Sequence, residues 1–140
     1  MKVWMRDPHS GGVKIPKDVQ ERTGKRIEEY AAKNYAGRYT RLDIRFKGVF
    51  CYIDAYQEPD EPSKSLLKIT GETREEYLRR LSETQTHLCR LRYFGDDEKW
   101  SLAFYTYSNE KYEPCIFVNG SFYGTPEEGF DIGAIYLHEK

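Results

Sequence analysis

The sequence lacks the features of a membrane, secreted or disulfide-bonded protein. No apolar run approaches the roughly 18 residues of a membrane-spanning helix, and no N-terminal apolar stretch leads to a small-residue cleavage site. The three cysteines, Cys51, Cys89 and Cys115, are odd in number and share no C-x-x-C spacing, which favours reduced and buried thiols. We therefore expect a cytoplasmic chain that does not associate with membranes.

An excess of charge of either sign is also missing. The chain carries 22 Lys and Arg residues against 23 Asp and Glu residues, for a net charge of -1. This balance provides no general attraction to nucleic acid or anionic lipid. With 140 residues, 39% of them hydrophobic, the chain fits one folded domain spanning residues 1–140.

Familiar catalytic and cofactor motifs are absent as well. There is no glycine-rich phosphate loop, dinucleotide fingerprint, zinc-protease helix or hydrolase elbow, so we predict no cofactor and no metal site. Two segments, Pro59-Asp60 and Asp97-Glu98-Lys99, loosely resemble the sequence pattern of metal-dependent nucleases. The second group falls in a predicted hairpin loop rather than on a strand, and we do not adopt that interpretation.

A second resemblance is topological. The predicted α-β-β-β-α order of residues 73–138 is similar to that of double-stranded-RNA-binding domains. In those domains, lysines at the start of the last helix bind phosphate, whereas this helix begins with Glu127-Glu128. A carboxylate pair would repel the phosphates, so the chemistry contradicts the shared order.

What the sequence does contain is two hairpins with distinguishable faces. Residues 40–56 form two alternating runs, and a two-residue turn at Lys47-Gly48 would place Phe46 opposite Val49 and Ile44 opposite Cys51. One face of this hairpin is apolar. The other combines arginine and tyrosine with the carboxylates Asp43 and Asp54.

The second hairpin repeats this division. Residues 86–107 surround the turn sequence Gly95-Asp96-Asp97-Glu98, and a four-residue loop there would pair Phe94 with Lys99 and set Tyr93 beside Trp100. In this register His87 and Cys89 share the apolar face, while Leu88 lies on the opposite face with the arginines. We therefore interpret His87 as a hydrogen-bonded core histidine more readily than as a catalytic base.

Helices and loops complete the prediction. Helical spacing predicts one helix over residues 17–35, and capping boxes that begin at Thr73 and Thr125 predict two more. Residues 1–15 are expected to form an irregular arm, residues 57–72 a long loop, and residues 115–118 a further strand. The fold class is α+β: an antiparallel sheet of roughly four to six strands with about three helices on its apolar face, in the order α-β-β-α-β-β-β-(β)-α.

The predicted polar face of the sheet is the main candidate for function. We call it the Arg/Tyr face, and its candidate ligand-binding residues are Arg41, Arg45, Arg90, Arg92, Tyr39, Tyr52, Tyr56, Tyr105 and Tyr107. Arginine binds carboxylates and phosphates, and tyrosine and arginine are enriched at protein interfaces. The alternative is an ordinary solvent-facing sheet in which arginines pair with carboxylates across strands.

Three functions remain open at this stage. The first is a non-enzymatic binding module whose partner is an anionic ligand, another protein or a second copy in a homodimer. The second is a small enzyme with an anionic substrate, for which His9 and His87 are the weak catalytic candidates. The third is single-strand nucleic-acid binding, which the carboxylates Asp43 and Asp54 on the same face disfavour.

Overall fold

The computed structural model describes residues 9–137 as a five-stranded antiparallel sheet with helices, and it confirms the α+β prediction. The elements, in chain order, are α1 (Lys17–Asn34), β1 (Arg41–Lys47), β2 (Phe50–Tyr56), α2 (Lys64–Thr70), α3 (Arg74–Ser82), β3 (Thr86–Tyr93), β4 (Trp100–Thr106), β5 (Lys111–Cys115) and α4 (Pro126–Gly133), followed by a 3₁₀ turn (Ala134–Tyr136). Among these residues, no helix is both long and apolar enough to cross a bilayer.

The sheet is a meander in which strands adjacent in sequence pair with each other, in the order β1-β2-β3-β4-β5. The first hairpin turns at Gly48-Val49, one residue later than predicted, because Lys47 pairs with Phe50. Gly48 adopts a positive φ of 60°, which glycine tolerates without strain. The predicted pairs are therefore shifted by two residues, and since side chains alternate with a period of two, both faces keep their predicted members.

The second hairpin has the predicted register, with Tyr93 opposite Trp100 and Cys89 opposite Phe104. The prediction for His87 and Leu88 is wrong, because β3 contains a bulge on its other side. Ile53 pairs with Cys89 but Asp54 pairs with His87, so Leu88 is an extra residue against β2. Leu88 is fully buried in the apolar core, and His87 lies on the Arg/Tyr face.

Helices α1 and α4 cover the apolar face. The buried stripe of α1 consists of Val19, Thr23, Ile27 and Ala31, as the helical spacing predicts. Helix α4 begins with the predicted capping box at Thr125. It approaches the sheet closely through Gly129 and Gly133: a Cβ on Gly133 would lie 2.9 Å from the backbone carbon of Leu88.

Polar contacts also hold α1 against α4. Arg26 Nε donates to Glu127 at 2.6 Å, and the hydroxyls of Tyr30 and Tyr35 donate to Asp131 at 2.8 and 2.6 Å. Burial and the hydrogen bond to the Asp131 carboxylate raise the pKa of Tyr30 to about 12. These contacts join helices that are about 100 residues apart in the sequence.

Two further parts of the fold differ from the sequence prediction. The segment predicted as a long loop, residues 57–72, contains helix α2, which has an N-cap at Ser63 and a left-handed glycine at Gly71. The strand predicted at residues 115–118 is wrong: β5 ends at Cys115 and begins at Lys111. A charged, proline-containing segment has a weak strand pattern, but it is tolerated at a sheet edge.

The part of the predicted N-terminal arm that can be described crosses the ends of the strands. Val13 N donates to Tyr93 O and Ile15 N donates to Gly48 O, both at 2.9 Å. Ile15 is buried in the core. Residues 1–8 of the predicted arm, and His138 at the other end of the chain, lie outside the described residues.

Candidate functional site

The Arg/Tyr face is organised in rows that cross the strands. The strand registers define three of them: Lys47, Phe50, Arg92 and Ser101; then Arg45, Tyr52, Arg90, Ala103 and Pro114; then Asp43, Asp54 and His87. Arginines occupy the first two rows and carboxylates occupy the third. We call the first two rows the basic end and the third row the acidic end; Arg41, opposite Tyr56, lies beyond the third row.

Asp54 is the centre of the acidic end. Its side chain is fully buried, and its two oxygens have different partners: Arg45 Nη2 donates to Oδ2 at 2.6 Å, and His87 Nδ1 lies 2.9 Å from Oδ1. A buried carboxylate is costly unless it is paired and hydrogen-bonded, and these two contacts supply both. Arg45 Nε also lies 3.5 Å from Asp43 Oδ2, so one arginine serves two carboxylates.

His87 lies among tyrosines. Its ring centroid is 4.6 Å from that of Tyr105 and 6.5 Å from that of Tyr107, and its backbone N–H donates to the Tyr107 hydroxyl at 2.7 Å. The His87 side chain is 32% exposed. Because Nδ1 donates to Asp54, Nε2 is the nitrogen available for solvent or a ligand.

Bulges of this kind are frequent beside functional sites because they redirect a side chain. Here the extra Leu88 places His87 over the Asp54 carboxylate, which an uninterrupted β3 would not do. Alternation alone cannot reveal this change. The available signal was the consecutive apolar pair Leu88-Cys89, which a strand with one solvated face does not need.

Tyr112 is the residue of this face that the sequence analysis missed. Its hydroxyl is buried and has no hydrogen-bond partner within residues 9–137, and its ring lies 6.3 Å from that of His87. Burial raises the pKa of Tyr112, and the nearby Asp54 carboxylate adds to the shift. Tyr112 was missed because β5 was not predicted at its correct position.

The basic end is built on Phe50. The Arg90 guanidinium carbon lies 4.2 Å from the Phe50 ring centroid and 5.3 Å from that of Tyr112. Arg92 lies over the same phenylalanine at 4.6 Å and donates from Nη1 to the Gly11 carbonyl at 2.7 Å. Within the described residues, no carboxylate forms an ion pair with Arg90.

A small recess of about 20 Å³ opens between these arginines, and its lining includes His9, Ser101 and Pro114. Ser101 is only 2% exposed. His87 does not line this recess, so the two histidine candidates belong to different ends of the face. His9 makes an edge-on ring contact with Phe122, with centroids 5.6 Å apart.

Arg41 and Tyr56 lie at the margin of the face, whereas Arg45 and Tyr52 lie nearer its centre. Arg41 lies 4.1 Å over the Tyr56 ring, and Arg45 lies 5.3 Å over Tyr52. Tyr39 precedes β1 and packs against the hydrophobic core, so it is separate from the other candidates. Its placement on the Arg/Tyr face was wrong because β1 begins at Arg41, and strand alternation does not extend to residue 39.

The thiols offer no nucleophile at this site. Cys51 and Cys89 are fully buried on the apolar face, and burial raises the pKa of both. Burial also raises the pKa of Cys115, to about 11. A thiol with a raised pKa is unreactive at neutral pH. The described residues also contain no group of three or more His, Cys, Asp or Glu side chains that could hold a metal ion.

Comparison with known proteins finds no matching family model, no matching curated protein and no matching solved structure. The contacts of the face itself define its chemistry. Its basic end can bind an oxyanion, and its acidic end can hold a histidine in one tautomer.

Proposed function

We propose that this protein is a non-enzymatic binding module whose Arg/Tyr face holds an anionic group, a carboxylate or a phosphate, of a small ligand or partner protein. The observation that carries the proposal is Arg90. Its guanidinium is placed by two aromatic rings, and no described carboxylate neutralises it. An arginine oriented in this way is suited to bidentate binding of an oxyanion.

The contrast between the two ends of the face supports this assignment. Arg45 is occupied by Asp54 and Asp43, so its charge is already compensated. Arg90 stands over the Phe50 ring with no described carboxylate beside it, and Arg92 stands over the same ring, so the positive charge of Arg90 favours an anion there. An incoming anion is therefore attracted to the basic end rather than to the centre of the face.

Aromatic side chains provide the area that a larger partner would contact. Tyr107 is 46% exposed, and Tyr105, whose ring centroid lies 4.8 Å from that of Tyr107, is half-buried, as is Tyr52 on β2. Tyrosine and arginine together are the residue types that dominate binding energy at protein interfaces. A partner that inserts a carboxylate or phosphate at Arg90 would cover these rings as well.

The test is a titration followed by NMR of the arginine side-chain N–H groups, with inorganic phosphate and acetate as probes. We expect saturable shifts of the Arg90 signal with a dissociation constant of about 1 mM, typical of a single weak contact. Arg90→Gln should abolish the saturable response. Arg79→Gln, at an exposed arginine of α3, is the matched control and should leave it unchanged. Linear, non-saturating shifts in the wild-type protein would refute the proposal.

A single-stranded oligonucleotide is the natural third probe, because stacked tyrosines and arginines also bind unpaired bases. We expect no retention in a filter-binding assay at low salt. The carboxylates of Asp43 and Asp54 share the face, and the chain has no excess of positive charge. Retention of the oligonucleotide that is lost in Arg90→Gln would show that the partner is a nucleic acid and not a protein or small molecule.

A second candidate function, a small enzyme, is favoured by one specific observation. The buried Asp54 carboxylate fixes His87 through Nδ1, which is how a histidine is prepared for proton transfer through Nε2. Chromogenic phosphate and carboxylate esters would serve as probes. Turnover that is lost in His87→Gln and retained in His9→Gln would establish an enzyme. A hydrolysis rate no higher than that in buffer alone would instead favour the binding module.

A further inference from the structure

Ser101 is a buried polar residue whose hydroxyl makes no hydrogen bond within residues 9–137. It is only 2% exposed, and it lies opposite Arg92 on the Arg/Tyr face. A buried hydroxyl without a partner is unfavourable, and most such groups in folded proteins are hydrogen-bonded. Ser101 lines the small recess at the basic end, so a ligand atom that enters this recess would supply the missing partner.

The recess is too small to hold a whole ligand. Its volume of about 20 Å³ is little more than one water molecule needs. A single oxygen atom at the end of a ligand fits, whereas an aromatic ring or a sugar does not. The rest of the ligand would therefore remain outside, beside Arg90 and Phe50.

The N-terminal segment forms a fixed wall of this recess. The Gly11 carbonyl accepts a hydrogen bond from Arg92 Nη1 at 2.7 Å. Gly12 has a positive φ of 111°, and a Cβ there would lie 2.8 Å from the Tyr93 carbonyl oxygen. This close fit brings His9 to the recess, so its opening is already shaped before a ligand arrives.

Arg90 and Ser101 are placed to share one ligand group. They are diagonal neighbours on the sheet, because Arg90 pairs with Ala103 while Arg92 pairs with Ser101. Diagonal positions on a sheet lie about 7–8 Å apart, which a long side chain can span. Arg90 offers a fork of two donors beside the recess, and Ser101 offers a third donor within it.

We propose that the anionic group bound here is a phosphate monoester, which has three terminal oxygens, and not a carboxylate or a phosphodiester, which have two. This inference rests on the anion binding at Arg90 proposed above. Two oxygens of the monoester accept from the Arg90 fork, and the third enters the recess and accepts from the Ser101 hydroxyl. A carboxylate that occupies both donors of Arg90 has no oxygen left for the recess.

The charge of the basic end fits the same group. A phosphate monoester carries about two negative charges at neutral pH. Lys47 lies in the same row as Arg92 and forms no ion pair within the described residues, and no described carboxylate lines the recess. The second negative charge of a monoester therefore meets a positive surface and not a like charge.

The test compares three anions by NMR of the Arg90 side-chain N–H groups in the full chain. The probes are phenyl phosphate, a monoester; dimethyl phosphate, a diester; and acetate. We expect phenyl phosphate to bind about tenfold more tightly than either of the others, as one additional charge-assisted hydrogen bond implies.

Ser101→Ala removes only the third donor. We expect the affinity for phenyl phosphate to fall about tenfold and the affinity for acetate to stay unchanged. Because the hydroxyl has no described partner, the variant should keep its free energy of unfolding in urea. Ser65→Ala, at an exposed serine of α2, is the matched control and should change neither affinity. An equal loss for both anions would overturn the inference, because Ser101 would then only support the site.

Two sources of the monoester are separated by comparing free phosphoserine with a short peptide that contains it. Tighter binding of the peptide would identify a phosphorylated protein, and equal binding would identify a small phosphorylated molecule; both support a monoester. Acetate or dimethyl phosphate binding as tightly as phenyl phosphate would overturn this inference and leave anion binding at Arg90 intact. No saturable binding of any anion would overturn both.

Discussion

The two faces of the sheet are built on opposite principles. The apolar face is closed by steric fit: Gly129 and Gly133 allow α4 to approach so closely that a single Cβ would contact Leu91 or Leu88 at under 3 Å. The Arg/Tyr face instead contains a fully buried carboxylate that depends on Arg45 and His87 for its partners. One face is packed mainly from apolar side chains, and the other is organised around a buried carboxylate.

This difference separates the residues that determine the fold from those that serve a function. An apolar layer of similar volume could replace the Asp54 cluster without loss of stability, since buried ion pairs rarely stabilise more than hydrophobic packing does. The bulge, the buried Asp54 and the unpaired Tyr112 hydroxyl are therefore features that stability alone does not require. The largest losses of stability should come from changes on the apolar face, whereas changes on the other face should cost less stability or should also alter binding.

The largest effect is expected from Phe130→Ala. Phe130 is fully buried and makes ring contacts with Tyr30 and Tyr35, so truncation leaves a cavity under α1 and α4. We expect the free energy of unfolding to fall by about 3–5 kcal/mol, measured by urea denaturation. Phe122→Ala, at a ring that is 49% exposed, should cost less than about 1 kcal/mol. Equal losses would show that α4 does not close the apolar face.

A smaller loss is expected from Gly133→Ala. The new Cβ would lie 2.9 Å from the backbone of Leu88, which can move aside only if the bulge is distorted. We expect a loss of about 1–3 kcal/mol in urea denaturation. Gly24→Ala in α1 is the control with the opposite sign: its Cβ meets Phe46 at 3.8 Å, and alanine favours a helix by about 0.5–1 kcal/mol. Stabilisation by both changes would contradict the close fit.

Asp54→Asn preserves the shape of the side chain and removes its charge. Arg45 and His87 then lose a charge-assisted acceptor, and we expect a loss of about 1–3 kcal/mol in the free energy of unfolding. Asp60→Asn, at an exposed carboxylate, is the control and should have no measurable effect. Asp54→Asn should also release Arg45 and so strengthen phosphate binding to the face. Unchanged phosphate binding would indicate that the two ends act independently.

The smallest effect is expected from Tyr107→Phe. The change removes the acceptor of the His87 backbone N–H while the ring stays in place. We expect a loss of about 0.5–1.5 kcal/mol in the same denaturation assay. Tyr123→Phe, whose hydroxyl makes no hydrogen bond with the described residues, should lie near zero. A larger loss than that of Asp54→Asn would show that the Tyr107 hydroxyl, and not the Asp54 carboxylate, is the more important contact of His87.

Sequence patterns predicted the faces more reliably than the details of pairing. The first hairpin turns at a different residue from the one predicted, yet Ile44 and Arg45 lie on their predicted faces because a shift of two residues preserves alternation. The helices at 17–34 and 74–82 follow from apolar spacing and from the capping box at Thr73. These signals are local in the sequence, so the elements and faces that they predict remain correct even when the pairing register is not.

What the sequence could not supply depends on contacts between strands. The bulge at Leu88 is defined only by pairing with β2, so the position of His87 over Asp54 was not predictable from β3 alone. Strand β5 contains Pro114 and two charged residues, and its strand conformation comes from pairing with β4. Tyr112 was missed for the same reason. The membership of the Arg/Tyr face therefore followed largely from strand alternation, but the position of His87 on that face did not.

The sequential strand order also has a consequence for how the chain folds. Three of the sheet pairings, β1-β2, β3-β4 and β4-β5, join strands separated by short turns, so little loop entropy opposes these hairpins and they can form early, whereas residues 57–85 separate β2 from β3. The docking of α1 on α4 is different, because Arg26–Glu127 and Tyr30–Asp131 bring together residues 101 positions apart. We expect this docking to be the late step of refolding. Alanine at Tyr30 should then accelerate unfolding in stopped-flow experiments while leaving the refolding rate nearly unchanged.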